Sequence, residues 1–111
     1  RSAIAAAVKK GVTGVSSMED LKGKKVVCKS GTTVHEYASF LKDSIGFTVT
    51  PYEKVDDAFA AVLNGNADVI LEEYPLIHYR MYTKDADLDL AFKGDAYRAY
   101  KHLRALGYKV R

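Results

Sequence analysis

A chain of 111 residues, 48% of them apolar, can bury one real core, which excludes disordered and fibrous classes. Its apolar runs, residues 69–71 among them, fall far short of the ~20 residues needed to cross a bilayer. No signal-peptide pattern opens the chain, as would hold for a mature product or an excised domain of a secreted parent. The net charge of +3 is uneven: residues 97–111 hold Arg98, Lys101, Arg104, Lys109 and Arg111 and no acid, leaving the rest slightly acidic.

Taken in chain order, residues 2–8 are alanine-rich and fit either a helix or an edge strand before Lys9-Lys10-Gly11. Residues 25–28 form an apolar run between Gly23 and Gly31 and predict a buried strand. From Thr33 the apolar positions Val34, Tyr37, Ala38, Leu41 and Ile45 recur at helical spacing, and the run stops at Gly46. Residues 47–50 alternate as a strand before Pro51. Residues 55–63 open with Asp56 and Asp57, suited to a helix N-terminus, and end in the turn sequence Asn64-Gly65-Asn66. Residues 67–71 predict a second buried strand. Residues 73–82 predict a helix with Pro75 in its first turn, 88–92 a strand, and 96–106 a closing helix ended by Gly107. Short strands alternating with amphipathic helices predict a three-layer α/β/α domain around a mostly parallel sheet, one domain over residues 1–111.

Catalytic and metal signatures fail on inspection. His35-Glu36 opens like HExxH, but Ser39 stands where the second histidine is needed. Gly14-Val15-Ser16-Ser17-Met18 lacks the last glycine of a nucleophile elbow, and Gly23-Lys24-Lys25 lacks both the hydroxyl and the upstream glycine of a P-loop. His35, His78 and His102 sit on separate elements without ligand spacing. Cys28 is the single cysteine, which excludes an internal disulfide, a zinc ribbon and a CxxC redox pair; it reads as a core residue. No enzyme activity, cofactor or metal is expected.

What remains are two strand ends. Lys29-Ser30-Gly31-Thr32-Thr33 lies where a buried strand meets a helix, whose first N–H groups and dipole favour an anion. Gly31 permits close approach, and the hydroxyls of Thr32 and Thr33 either cap the helix or donate to the same anion. Leu71-Glu72-Glu73-Tyr74-Pro75 lies at the carboxyl end of the other buried strand, and open parallel sheets bind ligands outside such ends. An N–H array facing a carboxylate is what a free α-amino acid needs, since its two charges each require a partner once water is expelled. The alternative is that both acids merely occupy a first helical turn.

Residues 17–26, Lys29-Ser30-Gly31-Thr32-Thr33, Tyr52 with Val55-Asp56-Asp57-Ala58, residues 64–70 and Tyr74-Pro75 together resemble the second lobe of amino-acid-binding type 2 periplasmic solute-binding proteins, an architecture shared with ionotropic glutamate receptor ligand-binding cores. The resemblance runs over residues 3–90. It implies a non-catalytic lobe that closes with another on an amino acid. Gly31, Thr32 and Thr33 would lie at the α-carboxylate, Glu73 at the α-ammonium, and Lys29 and Glu72 near the ligand side chain. It also implies a periplasmic or extracellular setting, with a first lobe or a second copy as partner and a membrane transporter or channel reached through a parent protein. The family's first lobe, with its carboxylate-binding arginine, has no counterpart here, and residues 94–111 match the family poorly. The rival reading is an α/β module that has lost the ligand and uses its basic end to hold a protein or, less favoured, a nucleic acid.

Overall fold

The structure, a computed structural model, describes residues 3–94 and 96–107. Five strands, β1 (Ile4–Lys9), β2 (Lys25–Lys29), β3 (Thr48–Tyr52), β4 (Val69–Glu73) and β5 (Leu88–Gly94), form a sheet of order β3-β2-β4-β1-β5. The helices are α1 (Thr33–Ile45), α2 (Val55–Leu63), α3 (Tyr74–Tyr82) and α4 (Ala96–Ala105), with a 3-10 turn over Met18–Leu21. Strand β2 pairs in parallel with β3 and β4, whereas β1 runs antiparallel to both β4 and β5. Four strands thus share one direction, and β1 alone opposes them.

The two sheet faces bury separate cores. Ile4, Ala6, Val26, Cys28, Val69 and Leu71 pack beneath α1 and α4, while Ala5, Ala7, Val27 and Ile70 pack beneath α2 and α3. Both sides of β1 are buried, so its alanines serve as a thin spacer between two helical layers. That settles the ambiguous start, of which Ser2 lies outside the described residues. The segment is a strand, and an internal one, because β5 supplies its second partner.

Several boundaries differ from expectation. β3 runs through Pro51 to Tyr52, which an edge strand tolerates because a missing N–H need not break the ladder. β4 continues to Glu73 because β1 pairs Ala5 with Glu72 and Ile4 with Glu73, a long-range pairing that outweighs the poor strand propensity of two glutamates. Consequently α3 starts at Tyr74, with proline in its first turn. Gly46 ends α1 at φ 99°, a left-handed conformation in which its N–H donates to the Lys42 carbonyl.

Candidate functional site

Adjacent parallel pairing of β2 and β4 brings their carboxyl ends to one edge of the sheet. At the first end, Gly31 turns the chain with φ 73° and open space where a Cβ would stand. Thr32 then caps α1: its Oγ1 accepts from the His35 N–H at 3.1 Å and donates to the Lys29 carbonyl at 2.9 Å. The Thr32 hydroxyl is therefore committed to the helix, and the donors left at this terminus are backbone N–H groups, with the Thr33 hydroxyl engaged by Tyr97. The Gly31 N–H donates to His35 Nδ1 at 3.4 Å. A depression of about 340 Å³ opens here, lined by Gly31, Thr32, Thr33, His35, Glu36 and Ser39.

At the second end, successive residues of β4 project to opposite faces. Glu73 follows Leu71 onto the α1 side, where its Oε2 accepts from Tyr97 Oη at 3.0 Å and lies 3.6 Å from Lys101 Nζ. Glu72 is only 4% exposed, and its Oε1 accepts the Glu73 N–H at 2.8 Å. Burial raises its carboxyl above the usual range, opposed by that hydrogen bond and by the Lys29 ammonium. The two glutamates thus have different surroundings, although neither occupies a helical first turn.

The residues missed in the sequence are on α4. Tyr97 is fully buried, and its phenol is held by Glu73 and by the Thr33 hydroxyl. Burial, then the bond to Glu73 and the glutamate charges, push its ionisation far above the ordinary tyrosine value. One turn on, Tyr100 Oη donates to Glu36 Oε1 at 3.1 Å, and the Arg104 guanidinium reaches the same oxygen at 2.8 Å. The spacing of Tyr97, Tyr100, Lys101 and Arg104 is that of one helical face, a signal present in the sequence but compatible there with a solvated stripe or a basic end for a partner. The basic end is thus partly spent inside the protein. The Arg98 side chain, Lys109 and Arg111 lie outside the described residues.

Cys28 is buried, and desolvation, followed by the Glu72 charge, pushes its thiol up to about 11. His35 is half-buried, and His78 and His102 are exposed. Among the described residues no cluster of His, Cys, Asp and Glu could hold a metal ion, and no helix is long and apolar enough to cross a membrane.

No protein-family model matches the chain, and no curated protein matches its sequence. Solved structures do match. Substrate-binding domain 2 of GlnP from Lactococcus lactis superposes with a TM-score of 0.76 at 20% identity, covering 96% of this chain and 54% of that one. Isolated domain 2 of ArgBP from T. maritima, a protein also solved with arginine bound, gives a TM-score of 0.70 at 27% identity, covering 80% of this chain and 94% of that domain. The cysteine-binding protein of Campylobacter jejuni gives 0.71 at 25% identity, covering 85% and 37%. The chain spans about half the length of the GlnP domain and nearly all of the isolated ArgBP lobe. Its fold is that of a type 2 periplasmic-binding-protein lobe.

Proposed function

We propose that this chain is the second lobe of a two-lobed, non-catalytic solute-binding protein that takes a free amino acid. The observation that carries the reading is the juxtaposition of the α1 N-terminus with the Glu73 carboxylate across the neighbouring ends of β2 and β4. The ligand carboxylate meets the N–H groups of residues 31–33 and the Thr33 hydroxyl, where the helix dipole favours an anion. Its ammonium meets Glu73, as a desolvated ion requires. Thr32 contributes its backbone, since its hydroxyl caps the helix. Lys29 and Glu72, electrostatically linked, stand near the ligand side chain, with Glu72 acting through Lys29 rather than by direct contact.

A first lobe, or a second copy of this one, supplies the opposite wall. The setting is periplasmic or extracellular, within a parent protein that serves a membrane transporter or channel. Amino-acid-binding neighbours of the same fold support this reading, and so does the partial use of the basic end by Glu73 and Glu36, which weakens the rival interaction module.

A micromolar clamp has about −8 kcal/mol to share between its lobes, so one lobe alone retains millimolar affinity at best. Titration of the protein with the common amino acids, followed by amide NMR, should shift the signals of residues 31–34 and 73 at millimolar concentrations. Salt-dependent retention on heparin, with no response of those amides in the protein or in a Glu36→Ala variant, would refute the reading in favour of the rival.

A further inference from the structure

Strand β5 ends at Gly94, which pairs with Ile4, and Ile4 on its other side pairs with Glu73. Helix α4 therefore starts at the rim of the site. Its buried Tyr97 and Tyr100 pack edge-on and tilted against Tyr37 at centroid distances of 5.3 and 5.2 Å, and Tyr100 also meets Phe40 at 5.5 Å. So anchored, the helix places the Lys101 ammonium 3.6 Å from Glu73 Oε2 and 5.0 Å over the Tyr97 ring, while the Tyr97 hydroxyl joins Glu73 to Thr33. A second set of contacts, Tyr100 and Arg104 on Glu36, lies one helical turn away, beside a depression of about 310 Å³ lined by Thr33, Glu36, Lys101 and Arg104.

These are a ligand's contacts made by the chain itself: an ammonium at the acid assigned to the amino group, and a polar group at the threonine assigned to the carboxylate. We propose that α4 is a tethered occupant of the amino-acid site, so that ligand binding requires the helix to leave. The inference rests on Glu73 and Thr33 being ligand contacts. The ligand then sees only the fraction of molecules with α4 released, and its apparent dissociation constant is raised by the inverse of that fraction. The latch is adjustable because its ion pairs are partly exposed, with Lys101 and Glu73 side chains 33% and 37% accessible, and such pairs contribute little each.

Glu36 allows a test that leaves the assigned ligand contacts untouched, because it holds α4 from the exposed side of α1. Glu36→Ala and, separately, Lys101→Gln with Arg104→Gln would be compared with the parent. Hydrogen exchange of the α4 amides reports release, circular dichroism reports the fold, and NMR titration with L-arginine and L-cysteine reports affinity. Both variants should keep the fold, exchange α4 amides faster, and bind more tightly by a similar factor, on the order of fivefold. Faster α4 exchange with unchanged affinity would overturn the proposal while leaving amino-acid binding intact, as would α4 exchange that neither variant alters. Amides of residues 31–34 and 73 that respond to neither amino acid, even with α4 released, would remove the site reading and this inference together.

Discussion

Replacing Glu73 with alanine tests the polar join between sheet and closing helix, independently of any ligand. The side chain makes no capping bond to α3, so the helix start is unaffected. The loss falls on Tyr97, whose fully buried hydroxyl donates to Glu73, and on the half-exposed Lys101 pair. A buried donor left without its charged acceptor costs about 1–3 kcal/mol. Thr33, which donates to the phenol oxygen, does not replace that acceptor, and the lysine pair adds about 0.2–1 kcal/mol. The sum is on the order of 2 kcal/mol. With a urea slope of about 1.3 kcal/mol/M for a domain of this size, the unfolding midpoint should fall by about 1.5 M. Glu73→Gln, which keeps an acceptor for Tyr97, should lose about half as much. In a Tyr97→Phe background, Glu73→Ala should cost little more than the lysine pair, because the stranded donor is gone. A midpoint shift under about 0.3 M for Glu73→Ala in the parent chain would refute the coupling.

Thr32→Ala removes the cap accepted from His35 and should cost about 1 kcal/mol, lowering the midpoint of a thermal melt by about 5 °C. Cys28 should resist a thiol reagent at pH 8: its shift from 9.0 to about 11 leaves about a hundredfold less thiolate, and burial slows labelling further, so native and urea-unfolded rates should differ by at least that factor. Glu72 binds its proton more tightly folded than unfolded, so its contribution to stability is full below its unfolded value of 4.5 and is lost as pH rises toward the raised folded value. Glu72→Gln, which preserves the acceptor for the Glu73 N–H, should therefore stabilise the protein at neutral pH, with the advantage fading below about pH 4.5 in urea titrations at stepped pH.

The sequence by itself determined most of the elements and one half of the candidate site. Helical spacing from Val34 to Ile45, the Gly46 stop and the apolar runs of β2 and β4 are local signals, fixed by φ/ψ preference and by the side-chain period of a helix or strand. Gly31 followed by two threonines located the α1 N-terminus for the same reason. The tertiary structure decided what depends on distant partners. Strand β1 could be read as helix or edge strand because alanine favours helix locally while the segment's place before Lys9-Lys10-Gly11 suits a strand; pairing with both β4 and β5 overrode the local preference and made it the internal spacer of the sheet. That pairing also extended β4 through Glu72 and Glu73 and so turned two adjacent carboxylates toward opposite faces, one nearly buried beside Lys29 and one toward α4. The destination of the basic residues on α4 was equally out of reach. A helical face bearing Tyr97, Lys101 and Arg104 has the same pattern whether it meets water or a cleft, and only packing on Tyr37 brought its cations onto Glu73 and Glu36. A charge's position along the chain limits its reach, but its partner is set by the fold that brings distant strand and helix ends together.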